Sequence, residues 1–219
     1  MWNSQVIIML LEGIRDTLYM TLASTLFGYI IGLPMGIVLT VTDKDGIRPN
    51  AAVYKVLDVI SNLLRSIPFI ILLIVLIPFT RFVVGRSYGS TATIVPLTIA
   101  AAPYIARMVE SSLKEVDAGV IDAARSMGAS DFQIVTKVML VEARTSLIVG
   151  ATISLGTILG YSAMAGTVGG GGLGDIAIRY GYTRWQTDIM VVTVVLLVIL
   201  FQIFQTIGMK IANRLDRRK

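Results

Sequence analysis

Long stretches without a charged residue constrain this chain more than any other feature. Four runs of at least 20 residues contain no Asp, Glu, Lys or Arg: Thr17–Thr42, Ser87–Ala106, Thr145–Gly174 and Ile189–Met209. About 20 apolar residues cross the hydrocarbon core of a bilayer, and a backbone in hydrocarbon must hydrogen-bond to itself as a helix. A fifth candidate carries Asp58 and Arg65 near its start but then becomes strongly apolar. We predict an all-α integral membrane protein with five transmembrane helices, near residues 17–41, 56–79, 89–108, 145–168 and 188–210.

Composition supports this class and excludes several others. Hydrophobic residues make up 55% and charged residues 15% of the 219 residues, whereas soluble domains carry about 25% charge. Cys and His are absent, which excludes a disulfide framework and removes the usual thiolate and imidazole metal ligands. We therefore predict no metal site. The net charge of +5 favours basic cytoplasmic loops over a nucleic-acid partner in a membrane chain.

The distribution of basic residues predicts the orientation of the spans. With the N-terminus outside, thirteen of the nineteen Lys and Arg residues fall in inner segments and five in outer segments. The positive-inside rule therefore favours an N-out, C-in topology. Residues 2–16 lack the features of a cleavable signal peptide, and we predict an interfacial helix there, with Trp2 as an aromatic anchor.

The predicted cytoplasmic segment at about 109–144 is too long for a simple connection between helices. Asp117 is placed to cap a short helix, and Val120, Ala124 and Met127 follow at the spacing of one apolar stripe. Gly128 suits a left-handed helix terminus, and Ser130-Asp-Phe-Gln133 matches a capping box that begins a second helix. This helix, glycine corner, helix pattern predicts either an amphipathic helix on the lipid surface or a knob that docks in a partner's groove.

The same segment contains Asp122-Ala123-Ala124, three further residues, and Gly128. This spacing resembles the ATPase-coupling loop of ABC importer permeases, whose pattern is E-A-A-x3-G-x9-I-x-L-P. Asp replaces Glu, and Val138-Met-Leu-Val141 keeps the second half only as an apolar match without the final Pro. The resemblance to methionine importer permeases then extends along the chain, through Arg65-Ser-Ile-Pro68, Ala102–Glu110, Gly160–Gly166, Val168–Gly174 and Tyr180-Gly-Tyr182.

This resemblance implies a type I ABC importer permease fold, as a single transmembrane domain over residues 1–219 in the bacterial inner (cytoplasmic) membrane. The implied partners are a second copy of the chain, two cytoplasmic ABC ATPase subunits and a substrate-binding (lipo)protein on the outer face. The implied function is import of methionine, L- or D- or both, by alternating access. The implied coupling residues are Val120, Asp122, Ala123, Ala124, Met127 and Gly128.

The chain lacks a G-x-x-x-x-G-K-[ST] loop, so ATP and Mg would be bound by the partner ATPase. We predict no catalytic residue and no cofactor in this chain. Rival interpretations are a permease for another amino acid or an osmolyte, a stand-alone secondary transporter, and a structural membrane protein. A secondary transporter usually has ionisable groups inside its spans, where this sequence offers only Asp58 and Arg65. For these two residues we predict an ion pair at the cytoplasmic end or a snorkelling Arg, with a polar contact in the inner vestibule as the alternative.

Within the fourth span, Tyr161, Ser162 and Met164 are candidates for the translocation pathway or its gate, with plain packing as the alternative. The small residues Gly156, Gly160, Ala163 and Gly166 are expected to let two copies of this helix approach. The glycine run 169–172 predicts either a flexible turn or a thin, mobile surface at the outer side.

Overall fold

The computed structural model describes residues 4–216, and these residues form helices without any β-strand. The α-helices are α1 Ser4–Thr42, α2 Ala51–Ser66, α3 Phe69–Val75, α4 Ile77–Val84, α5 Ser90–Lys114, α6 Ala118–Ser126, α7 Asp131–Gln133, α8 Leu140–Glu142, α9 Arg144–Ala165, α10 Gly172–Ile176 and α11 Thr187–Leu215. A 3₁₀ turn covers Gly166–Val168, and π-helical segments cover Ile134–Met139 and Ala177–Tyr182.

The described helices contain four spans, or five when a bent pair is counted as one. Three of them, α1, α5 and α11, are long and apolar enough by themselves, and the fourth runs from Arg144 to Tyr182. The fifth is α2 with α3, which meet at an angle of 102°. The predicted span near 56–79 therefore contains a sharp bend. Pro68 lies at the break, where it offers no N–H group and disfavours helical geometry in the preceding residue.

The first helix also differs from the prediction. It is continuous from Ser4 to Thr42, so residues 4–16 extend the first span and do not form a separate interfacial helix. Close packing explains the continuity, since Leu10 is buried and a Cβ at Gly13 would lie 3.2 Å from Leu173 Cδ2. The predicted anchor Trp2 lies outside the described residues.

The chain divides into two compact units. The first contains the residues up to Phe27 together with Ile67–Ala101 and Leu155–Gln205. Its core includes a cluster of Met20, Phe69, Leu73, Leu97 and Ala165, and a second cluster of Leu10, Leu173, Ile176 and Ile189. The prediction of a single domain over 1–219 stays a prediction.

The second unit contains Gly28–Ser66, Ala102–Ser154 and the residues from Thr206 onward. Two glycines one turn apart allow α1 to approach α5 closely in this unit. A Cβ at Gly32 would lie 2.6 Å from the carbonyl oxygen of Ala102, and one at Gly36 would lie 2.7 Å from Val109 Cβ. This G-x-x-x-G pair therefore serves packing within the chain.

Candidate functional site: coupling loop, charge ladder and pathway residues

The predicted coupling loop begins later than expected, because α5 continues to Lys114. Asp117 then caps α6, and its carboxylate accepts a hydrogen bond of 2.7 Å from the backbone N–H of Gly119. The cap satisfies one of the donors that a helix start leaves unpaired. The predicted start of a short helix at Asp117 is thus confirmed.

Gly128 ends this helix in the left-handed conformation, with φ +82°. Its N–H group donates to the carbonyl of Arg125 at 2.9 Å, and the N–H of Ala129 donates to the carbonyl of Ala124 at 3.1 Å. These two bonds make a Schellman motif, in which glycine avoids the penalty that a Cβ would bring. The predicted glycine corner is confirmed.

The second half of the loop begins with the predicted capping box. The Gln133 N–H donates to the Ser130 hydroxyl at 3.4 Å, and the Ser130 N–H donates to the Gln133 side chain at 2.9 Å. A π-helical segment follows, in which Ile134 and Met139 are buried. Because α6 packs against this segment, the two halves of the loop form one folded element.

The three residues of the apolar stripe predicted on α6 differ in burial. Ala124 is buried, whereas Val120 is 43% exposed and Met127 is 81% exposed. Asp122, Ala123 and Gly128 are also exposed. Sequence reasoning missed Phe132, whose ring is 77% exposed on the neighbouring helix α7; an aromatic residue directly after a helix cap in this loop was the available signal. We call Val120, Met127 and Phe132 the loop apolar patch.

The loop is also tied to the turn between α1 and α2. The Arg125 guanidinium donates a hydrogen bond of 3.1 Å to the carbonyl of Ile47. A cleft beneath α6 is lined by residues from both segments, including Asp43, Ile47, Ile121 and Arg125. The loop helix therefore has a fixed attachment to the end of the first span.

A ladder of alternating charges connects α2 with α5 in the second unit. Arg107 pairs with Asp58 and donates to Asn62 at 3.1 Å, and its other terminal nitrogen lies 2.7 Å from Glu110. Glu110 is only 5% exposed and also accepts a hydrogen bond of 3.4 Å from the Tyr54 hydroxyl. Asp58 therefore pairs with Arg107 on another helix, and the predicted Asp58–Arg65 ion pair is wrong.

The ladder continues to the end of α1. Lys114 lies 2.8 Å from Glu110 and 2.7 Å from Asp43, the first residue after α1. The hydrogen bond from Lys114 holds the pKa of the Asp43 carboxyl below its usual value. Each cation in the ladder lies between two carboxylates, which offsets the cost of removing these charges from water. We call Asp43, Asp58, Arg107, Glu110 and Lys114 the charge ladder.

Two of the three predicted pathway residues take part in packing within the first unit. The Tyr161 ring stacks on Phe69 with 4.6 Å between ring centroids and 5° between their planes. Ser162 is buried, and its hydroxyl donates to the carbonyl of Leu159 at 2.8 Å. Ser162 is therefore enclosed in the single chain, whereas Tyr161 is half-buried and keeps part of its side chain exposed.

Met164 differs from these two because it is 46% exposed. A Cβ at Gly160, one turn earlier on α9, would have nothing within 4 Å. The other small residues of this helix contact their own chain, since a Cβ at Gly156 would lie 2.6 Å from the Phe201 ring and Ala163 and Gly166 pack against Gly174. Of the four small residues expected to let a second copy of this helix approach, Gly160 is therefore the one that leaves open space beside it in the single chain.

The glycine run after α9 is a packed turn. Gly169 and Gly171 have φ values of +76° and +84°. The carbonyl of Gly169 accepts a hydrogen bond of 2.9 Å from Gly89, and that of Gly170 accepts one of 3.2 Å from Thr93. A Cβ at Gly170 would lie 2.8 Å from Thr93 Oγ1. These contacts describe a close approach of backbones at the end of α9.

Comparison with known proteins gives a consistent result along the chain. Residues 19–219 match the family described as binding-protein-dependent transport system inner membrane component. The probable D-methionine transport system permease protein MetI of Vibrio cholerae is 48% identical over 210 residues, which cover 96% of this chain and 93% of the relative. The D-methionine transport system permease protein MetI of Escherichia coli K12 is 54% identical over 158 residues, 72% of this chain and 73% of the relative.

Solved structures give the same fold. A chain from the inward-facing MetNI methionine ABC transporter matches with a TM-score of 0.97 and 49% identity, covering 99% of this chain and all of that chain. An amino acid ABC transporter solved with histidines matches with a TM-score of 0.78 at 19% identity, which shows a shared fold alone. The chain belongs to the family of inner membrane components of binding-protein-dependent transport systems.

Proposed function

We propose that this chain is the permease subunit of an ATP-driven importer of methionine in the bacterial inner membrane. The observation that carries this proposal is the folded coupling loop with its exposed apolar patch, in a chain that matches methionine permeases over nearly its whole length. Two copies of the chain would form the pathway. Two cytoplasmic ATPase subunits would bind ATP and Mg, and a binding protein would deliver methionine from outside.

The loop apolar patch is suited to docking in a groove of the ATPase. Burial of a side chain such as Val or Met contributes about 1.5–3 kcal/mol, so Val120, Met127 and Phe132 together provide a substantial anchor. Helix α6, which carries Val120 and ends at Met127, is fixed by caps at both ends and by the hydrogen bond from Arg125 to the Ile47 carbonyl. A movement of the ATPase would therefore be passed to the ends of the spans without being absorbed by a loose loop.

Transport in this proposal is a shift between two conformations and includes no covalent chemistry by the permease. Closure of the ATPase pair on ATP favours an outward-open state, and its opening after hydrolysis favours an inward-open state. Met164 lies on an open face of α9 beside Gly160. An unbranched thioether there is suited to an apolar constriction that changes its neighbours between the two states.

The docking role is tested by Val120→Ser combined with Met127→Ser. The variant permease should insert normally, because no span is changed, but should bind the ATPase at least tenfold more weakly and lose ATP-driven uptake in proportion. Ala118→Ser is the matched control, since it places a hydroxyl on the same helix about 200° from Val120. Unchanged ATPase binding and uptake in the double variant would show that the patch does not dock.

A further inference from the structure

The segment before α11 presents an exposed Trp in an unfavourable backbone conformation. Trp185 has φ +58° and is the one non-glycine residue with positive φ in the part of the chain that the structure describes. Its side chain is 85% exposed. A left-handed conformation costs a bulky residue about 1–2 kcal/mol. It is accommodated here by a turn at a helix end, in which the Trp185 N–H donates to the Tyr182 carbonyl at 3.4 Å and the Gln186 N–H donates to the Tyr180 carbonyl at 3.2 Å. The turn leaves the indole exposed, where a partner outside the chain can cover it.

The residues beside Trp185 have the chemistry of a membrane interface. Tyr182 is 68% exposed, and the Arg184 guanidinium lies 4.5 Å from the centre of the Tyr180 ring. Trp and Tyr concentrate at the headgroup level of bilayers, and Arg suits lipid phosphate groups. We call residues 180–185 the aromatic segment.

The length of α11 places this segment at that level. The charge-free run Ile189–Met209 has 21 residues, or about 31 Å at 1.5 Å per residue, which matches the roughly 30 Å hydrocarbon core. Trp185 precedes this run by about one turn. At the opposite end, exposed Lys210 and Arg214 follow directly, where basic side chains reach the other headgroup layer.

The exposed face of α11 agrees with contact to lipid. Four valines at helical spacing lie along one face of α11. Each is about half exposed: Val191, Val194, Val195 and Val198. In the single chain, only 11% of the most apolar window of this span is buried. The aromatic segment thus lies at the end of this apolar stripe, at the depth where the stripe would leave the hydrocarbon core.

We propose that the aromatic segment, with Trp185 at its tip, is an interfacial anchor that binds the outer lipid headgroup layer and fixes the depth of α11. The exposed indole lies among lipid carbonyl and phosphate groups, and Arg184 pairs with a phosphate. The left-handed backbone at Trp185 turns the ring toward the lipid. This inference concerns lipid contact and stands whether or not the proposed transport function is correct.

The chain suits a direct test, because it contains two Trp residues. Trp2→Phe leaves Trp185 as the single indole in the full chain, which is reconstituted in phosphatidylcholine–phosphatidylglycerol vesicles. Lipids brominated near the top of the acyl chain should reduce its fluorescence at least twofold, and lipids brominated near the bilayer centre should reduce it much less. A second variant combines Trp2→Phe, Trp185→Phe and Phe82→Trp. It provides a comparison indole at another exposed position in the same chain.

Three outcomes would overturn the proposal. The first is solvent-like emission from Trp185 with no quenching by either brominated lipid. The second is emission that changes only when a periplasmic binding protein is added, which would make the aromatic segment a protein-docking surface. Stronger quenching by lipids brominated at the bilayer centre would likewise contradict a headgroup anchor.

Discussion

At the scale of single residues, the structure separates Met164 from its neighbours. Tyr161 and Ser162 are committed to contacts within the chain, whereas Met164 is available to a second copy or to the pathway. The gate hypothesis thus depends on Met164 and on the open space beside Gly160. Tyr161 acts as a support, because its ring stacks on Phe69 at the start of α3.

We expect Met164→Ala to increase leak through the assembled transporter, together with its basal ATP hydrolysis, without loss of assembly. The smaller side chain leaves a gap in an apolar constriction that blocks by excluding water. Met164→Leu keeps the volume and should behave nearly as wild type. If uptake, leak and basal hydrolysis in both variants are the same as in the wild type, Met164 is a packing residue and not a gate.

Glu110 is the central residue of the charge ladder, because it pairs with both Arg107 and Lys114. Glu110→Gln should reduce the free energy of unfolding by about 2–3 kcal/mol, since hydrogen bonds to charged groups contribute about 1.5–3 kcal/mol and two are weakened. Asp45→Asn is the control, because the Lys44–Asp45 pair is more than 80% exposed on both sides and such pairs contribute little. Thermal unfolding in detergent measures both, and equal shifts would contradict a structural role for the ladder.

At the scale of elements, local signals in the sequence predicted the coupling loop well. The caps and the turn of this loop are hydrogen bonds between residues that lie within six positions of each other in the sequence. They therefore follow from spacing alone, at Asp117, at Gly128 and at the pair Ser130 and Gln133. The structure confirms each of them. The docking of this loop to an ATPase was inferred from a resemblance and stays a prediction.

Contacts between distant segments were not predicted, for a physical reason. Asp58 and Arg65 are close in sequence, but Asp58 pairs with Arg107, 49 residues away. Nothing in hydrophobic periodicity identifies which helices become neighbours. The break at Pro68 follows from the tendency of proline to interrupt a helix, but an apolar run does not predict its angle of 102°.

The glycine pair in α1 gives a prediction at the level of helix packing. Gly36→Ala should destabilise the protein by about 1–3 kcal/mol, because the added methyl group overpacks the contact with α5. Gly150→Ala is a matched control in the same unit, since its Cβ would lie 3.4 Å from Met108 Cβ, an ordinary contact. Thermal unfolding of the two variants should differ clearly. If Gly150→Ala lowered the unfolding temperature more than Gly36→Ala, this would contradict the close packing of α1 against α5.

At the scale of the whole molecule, composition and charge-free runs predicted an integral membrane protein, and the resemblance of its motifs to ABC importer permeases predicted a permease. The four long helices and the bent pair overlap the predicted spans, but the first begins at Ser4, well before residue 17, and the fourth continues to Tyr182, well past residue 168. The orientation with the N-terminus outside rests on the count of basic residues and stays a prediction.

Single-cysteine labelling tests this orientation without background, because the chain has no Cys. Cysteine introduced at Asp45 or Asp131 should react only from the cytoplasmic side, and cysteine at Tyr88 or Tyr182 should react from outside. All four positions are exposed, so access to the reagent depends on the side of the membrane. Reaction of position 131 with an impermeant reagent added outside would reverse the topology and remove the basis for ATPase docking.

The central claim is that this chain forms the pathway of an ATP-driven methionine importer. Its most direct test is uptake of labelled methionine by proteoliposomes that contain the permease, its ATPase and its binding protein. The account predicts uptake that requires ATP and the binding protein and that unlabelled methionine suppresses. With the Val120→Ser, Met127→Ser permease, uptake should fall at least tenfold. Uptake that proceeds without ATP, or that methionine does not compete for while another amino acid does, would contradict it.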